Sequence, residues 1–181
     1  MLHQHDGTLT LVTDRGVFSP DAVDVGTRVL LDLAGQPPTT GNIIDVGCGY
    51  GPIALTIARR APEATVWAID TNSRARDLTV LNAERAGLTN LRILAPAEVP
   101  DDVEFDAIYS NPPIRIGKAA LHDLLLGWLG RLRPDGVAWL VVHKHLGSDS
   151  LASWLQEQGF SCRKVASRLG YRVLEVRHGT A

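Results

Sequence analysis

The chain has 181 residues, 45% of them apolar and 21% charged, and a formal net charge of −2, which fits one compact domain over residues 1–181 with a core of its own. It has no run of about 18 apolar residues, and its polar N-terminus lacks a secretory layout, so neither a membrane span nor a signal peptide is expected. Two cysteines, Cys48 and Cys162, are too few for a disulfide framework, and a reduced, cytoplasmic protein is expected.

Residues 8–12 and 15–18 read as a small hairpin and residues 25–34 as a helix; this preamble, residues 1–40, is expected to cover the sheet's opening edge or a cleft. Residues 42–46 form a buried strand. Gly51-Pro52 then opens a helix, since proline suits a first helical position, and that helix ends near Arg60, ahead of Pro62. A second strand spans 65–70, followed by a helix capped at Asn72 or Ser73 and running to Gly87. Third and fourth strands occupy 91–94 and 105–109. Past Asn111-Pro112-Pro113, apolar residues at helical spacing predict a helix over 118–132, and Pro134-Asp135-Gly136 predicts a turn. The near-continuous apolar run 137–142 suits the middle of a parallel sheet. Residues 151–158 are a last helix, and 161–167 and 172–176 are closing strands. Repeated strand-helix units predict a doubly wound α/β core over 41–181.

The most informative local pattern is a strand ending in Asp45, glycines at 47, 49 and 51, and then a helix. Glycines let a backbone approach a ligand closely, and a helix N-terminus presents unpaired N–H groups. A dinucleotide fingerprint would need glycine at 52, where Pro52 stands. The form Asp45-x-Gly47-x-Gly49-x-Gly51, with Asp70 ending the next strand, resembles the first motifs of class I S-adenosylmethionine-dependent methyltransferases. That resemblance implies a Rossmann-like, mostly parallel seven-stranded sheet with an antiparallel C-terminal strand and helices on both faces. It also implies that Asp45, Gly47, Cys48, Gly49 and Gly51 cradle the methionyl and ribose parts, Asp45 meeting the ammonium. Asp70, with Thr71 and Asn72 beside it, would bind the ribose hydroxyls. The chain departs from the family after the third strand, where Leu94-Ala95-Pro96-Ala97-Glu98 offers no carboxylate at the usual place. Adenine would then rest on backbone and apolar contacts around Ala97.

Ser110-Asn111-Pro112-Pro113-Ile114 follows the fourth strand and so lies at the carboxyl end of the sheet, where open α/β folds bind ligands. It resembles the Asn-Pro-Pro signature of enzymes that methylate planar amino groups. An amine conjugated to a ring or carbonyl is a poor nucleophile. The Asn111 side-chain oxygen and the Pro112 carbonyl can accept its two N–H bonds and align its lone pair, while Pro113 and Ile114 form an apolar platform. Together with 15–19, 24–27, 111–118 and 170–174, the motif is similar to the small methyltransferase family, which includes the small-subunit ribosomal RNA guanine-N2 methyltransferases. The likeness runs from about residue 8 to 177. The segment from Phe18 to Thr27 would help close the cleft over cofactor and acceptor, and Arg115 and Lys118 would hold RNA phosphate or the acceptor base.

Charge is distributed unevenly. Residues 1–110 carry eight Lys/Arg against fifteen Asp/Glu, and residues 111–181 carry ten against five. A positive face beside a cleft suits RNA. Ribosomal RNA is therefore the expected partner, with adenine N6, a glutamine amide or a small amine as alternative acceptors and a non-catalytic RNA-binding module as the rival reading. Whether the protein is a monomer or a dimer stays open. His143-Lys144-His145 has no third ligand placed by the sequence, and no metal is expected.

Overall fold

The structure is a computed structural model. It describes the whole chain apart from residues 1, 5, 6, 18, 20, 21, 180 and 181. A small antiparallel pair, β1 (Leu2–Gln4) and β2 (Gly7–Leu9), precedes helix α1 (Val25–Leu33). The core then runs β3 (Asn42–Val46), α2 (Pro52–Arg60), β4 (Thr65–Ile69), α3 (Ser73–Ala86), β5 (Leu91–Leu94), β6 (Phe105–Ser110), α4 (Lys118–Leu129), β7 (Leu132–His143), α5 (Ser148–Glu157), β8 (Phe160–Arg168) and β9 (Tyr171–His178).

The main sheet has seven strands in the order β5-β4-β3-β6-β7-β9-β8. All pairs are parallel except the two made by β9, which runs antiparallel to both β7 and β8. Strand alternation divides the core into two layers. Ile43, Ala107, Tyr109 and Val141 face α1, α2 and α3, whereas Ile44, Ile69, Ile108 and Leu140 face α4 and α5. Helices thus cover both faces, as a mostly parallel sheet requires. The strand order reverses between β3 and β6, and the crevice at their carboxyl ends is the ligand position for such a sheet.

Three elements differ from the expected ones. The hairpin lies earlier, at β1 and β2, and residues 10–17 form no strand. Val12 instead gives both backbone groups to the Asn82 side chain (2.7 and 2.8 Å), and Val17 N–H closes a turn onto Asp14 O at 3.3 Å. α4 ends at Leu129 because Leu132 already pairs with Phe105 in the sheet. Pro134-Asp135-Gly136 is not a free turn but an outward swelling within β7, where residues 132 to 137 stand opposite only 105 to 107.

Among the described residues, no helix is long and apolar enough to cross a membrane.

Candidate active site

A cavity of about 640 Å³ opens at the carboxyl ends of β3, β4 and β6. One wall is the glycine loop with Asp70, Thr71 and Asn72; the opposite wall is the turn Asn111–Arg115; Asp24, Thr27, His143 and Tyr171 close a third side.

The loop is tied to β4 by backbone. Gly47 N–H and Cys48 N–H both donate to Ile69 O at 2.9 Å. Gly49 N–H donates to Asp70 Oδ2 and Asn72 N–H to Asp70 Oδ1, each at 2.9 Å. Each carboxylate oxygen keeps further acceptor capacity, and Asp70 lines the cavity, so it suits a pair of vicinal hydroxyl donors. Gly47 and Gly49 have positive φ, and a Cβ added at either would project into open space. That space is a cradle for a ligand, and these residues fit S-adenosylmethionine. Gly51 serves another purpose. Its φ is +96°, and a Cβ there would stand 2.1 Å from Leu55 Cδ1 and 2.9 Å from Thr79 Cγ2, so it seats the loop on α2 and α3.

Asp45 does not line the cavity. It is fully buried beneath the loop, where Oδ2 accepts Ala54 N–H at 3.0 Å and Oδ1 has no partner. Burial pushes its carboxyl up to about 8. Cys48 lines the cavity but is buried, its Sγ lying 3.8 Å from Thr79 Oγ1, and burial raises its thiol well above the ordinary value. It is a neutral core group rather than a nucleophile. Near the expected adenine position Pro96 lines the cavity and Ala97 does not. Glu98 turns back onto Ala95 N–H at 2.6 Å, within its own short helical turn.

On the opposite wall, Ser110 Oγ–H donates to Val46 O at 2.7 Å and joins the ends of β6 and β3. Asn111 follows. Its Nδ2 donates to Asp24 Oδ2 at 2.8 Å and to Thr27 Oγ1 at 3.2 Å. A carboxylate only accepts, so the amide nitrogen must face Asp24 and the amide oxygen is left for another donor. Pro113 has φ −75° and ψ 74°, an inverse γ-turn closed by Ile114 N–H on Pro112 O at 2.8 Å. The Pro112 carbonyl already carries that bond and keeps one lone pair. Pro112, Pro113, Ile114 and Arg115 line the cavity; Lys118, exposed at the first position of α4, does not.

Thr27 is buried, lines the cavity and accepts from Asn111 Nδ2, while Phe18 lies outside the described residues. Asp24, Tyr50, His143 and Tyr171 also line the cavity; the motifs around 24–27, 47–51 and 170–174 contain three of them, but no motif spacing assigns any of the four a role there. Asp24 was legible as a cap for α1, whose Thr27 N–H it accepts at 3.1 Å, but its Asn111 contact joins residues 87 apart. Tyr171 meets the His143 ring edge-on at 4.9 Å and presses against Gly26, where a Cβ would stand 2.7 Å away. The segment around Val12–Val17 is laid along α3 by Asn82, by Asn72 Nδ2–H donating to Gly16 O at 2.9 Å, and by the Asp14–Arg74 ion pair.

The basic excess after residue 110 is largely paired. Arg163 and Arg177 bracket Glu175, Arg168 pairs with Asp32, Arg172 with Asp149 and Arg133 with Asp106, and Arg131 donates to backbone carbonyls. Arg115, Lys118 and Lys144 make no side-chain ion pair among the described residues, and Arg115 and His143 place two of these three segments at the cavity. Among the described residues, no three His, Cys, Asp or Glu side chains form a group that could hold a metal ion.

A family model described as "Methyltransferase small domain" matches residues 8–175. The "Uncharacterized protein YbxB" of Bacillus subtilis (strain 168) is 37% identical over 171 residues, covering 93% of this chain and 85% of that protein. "Ribosomal RNA small subunit methyltransferase C" of Pseudomonas entomophila (strain L48) is 32% identical over 179 residues, covering 96% of this chain and 52% of that protein. The chain spans about half the length of such curated ribosomal RNA methyltransferases. Among solved structures, "T. Thermophilus 16S rRNA N2 G1207 methyltransferase (RsmC) in complex with AdoMet and Guanosine" superposes with a TM-score of 0.73 at 25% identity, over 90% of this chain and 45% of that one.

Proposed function

This chain belongs to the methyltransferase small domain family of S-adenosylmethionine-dependent methyltransferases, and from that premise we propose that it methylates the exocyclic N2 amino group of a guanine in ribosomal RNA. The observation that carries the reading is Asn111, held by Asp24 at the carboxyl end of β6 with its amide oxygen unclaimed, across one cavity from the glycine loop. Bound against Gly47, Gly49 and Asp70, S-adenosylmethionine supplies an electrophilic methyl group.

The residues of this chain supply binding and orientation. The Asn111 oxygen and the remaining Pro112 lone pair accept the two amino hydrogens of a planar acceptor, which turns the nitrogen lone pair out of conjugation and toward the methyl. Ile114, half-buried in the cavity wall, offers apolar contact to the acceptor's flat face. The proton released on methylation passes to solvent through the open cavity mouth, so no strong base is needed. Arg115, Lys118 and Lys144 leave their charges free for RNA phosphates.

The test is transfer of radiolabelled methyl to bare ribosomal RNA and to small ribosomal subunits, followed by nuclease digestion and mass spectrometry. The expected product is N2-methylguanosine. Label in N6-methyladenosine, or only in protein, would overturn the assignment.

A further inference from the structure

We infer that Asp24 is a positioning residue that fixes the hydrogen-bond polarity of the acceptor site by locking the orientation of the Asn111 amide. The inference deepens the proposed amine methylation and rests on it for its meaning, though not for its test. A primary amide turned by 180° keeps nearly the same shape and exchanges an acceptor for two donors. With its NH₂ toward the cavity, Asn111 would attract ring nitrogens and carbonyls. With its oxygen there, it takes a group that carries N–H. Only the surroundings of the amide choose between the two.

Asp24 makes that choice. Its Oδ2 accepts Asn111 Nδ2–H at 2.8 Å, and Thr27 Oγ1 lies 3.2 Å from the same nitrogen. Thr27 alone could not decide, because a hydroxyl accepts or donates. A carboxylate can only accept. The same Oδ2 also caps α1 through Thr27 N–H at 3.1 Å, so the first turn of α1 and the acceptor turn share one oxygen. Capping alone needs no charge, since serine or asparagine serves as well. Yet a carboxylate stands half-buried in the cavity wall beside Tyr171 and Tyr50, where its charge adds to burial in raising both phenols. A hydrogen bond from the amide nitrogen to an anion also polarises the amide, making its oxygen the stronger acceptor for an amine that gains positive charge as it reacts.

Asp24→Asn separates capping from polarity. Asparagine caps as well as aspartate, so the melting temperature should hold, but Asn111 no longer faces an obligate acceptor. Two readouts apply. In protein labelled with ¹⁵N-asparagine, without cofactor or RNA, the side-chain NH₂ signal of Asn111 is identified by its loss in Asn111→Ala. Its slow hydrogen exchange should be lost in Asp24→Asn. In turnover, kcat should fall about tenfold or more with KM for S-adenosylmethionine nearly unchanged, and the variant should have no further effect in an Asn111→Ala background. Asp24→Ser, a second cap-competent variant, serves if Asp24→Asn fails to fold. Unchanged exchange protection, or a kcat loss that persists undiminished in the Asn111→Ala background, would overturn the inference. The exchange measurement needs no acceptor, so it decides about Asp24 even if guanine proves to be the wrong substrate.

Discussion

Gly49 N–H donates to Asp70 Oδ2 at 2.9 Å, so one aspartate both braces the glycine loop and faces the cavity. Asp70→Ala removes this bond and the one from Asn72 N–H as well as any ligand contact. A hydrogen bond to a charged group contributes about 1.5–3 kcal/mol. Calorimetric titration with S-adenosylmethionine should show affinity falling by about ten- to hundredfold, and a variant that binds like the parent would remove Asp70 from the cofactor site.

Asn111→Ala should behave in the opposite way. The contacts it loses matter most as the acceptor reacts, so kcat falls by about a hundredfold or more while cofactor affinity stays within a few-fold. If both variants impair binding and turnover alike, the division between a cofactor wall and an acceptor wall is wrong.

Two loop glycines should part company when changed to alanine. At Gly51 the new Cβ meets Leu55 Cδ1 at 2.1 Å in a left-handed backbone, and the expected loss is about 3 kcal/mol in denaturant unfolding. At Gly49 the Cβ meets nothing. The backbone cost there is about 1 kcal/mol, and the main effect should be weaker cofactor binding because the methyl occupies the cradle.

Asp45 gives the fold a pH dependence of known sign. Its carboxyl is raised from an unfolded value near 3.9 to about 8 by burial, so the unfolded chain ionises first. Its contribution to stability is complete below about pH 4 and is lost progressively up to about pH 8, by at most about 1.4 kcal/mol per pH unit. Asp45→Asn keeps an acceptor for Ala54 N–H and removes the titration. Thermal melts from pH 5 to 8 should flatten in the variant relative to the parent, and parallel curves would show that Asp45 is already ionised in the fold.

If Arg115, Lys118 and Lys144 contact phosphate, changing each to glutamine should lower the slope of log affinity against log salt by about 0.7–0.9. Changing Arg163 or Arg177, already paired with Glu175, should leave that slope nearly unaltered. Binding to ribosomal RNA over a salt series reads both.

Much of this was legible in the sequence because it is local. The strand-to-glycine-to-helix turn, Asp70 just past β4, and Asn111-Pro112-Pro113 just past β6 follow from periodicity and turn chemistry over a few residues. The hairpin was misplaced because the backbone of Val12 bonds to Asn82, seventy residues away, instead of to a neighbouring strand. Pro134–Gly136 read as a turn because its residues are turn formers, but Leu132 had already entered the sheet opposite Phe105.

The sequence by itself determined the glycine loop, the Asn-Pro-Pro turn and their shared place at the carboxyl end of the strands, since each depends on backbone geometry over a few residues. Tertiary structure alone decided which side chains are available there. It buried Asp45 beneath the loop and paired most of the later arginines with carboxylates. It also brought Asp24 to Asn111 across 87 residues, which decides which end of the amide meets the acceptor. Such facts depend on desolvation and on partners distant in the chain, and no local spacing encodes either.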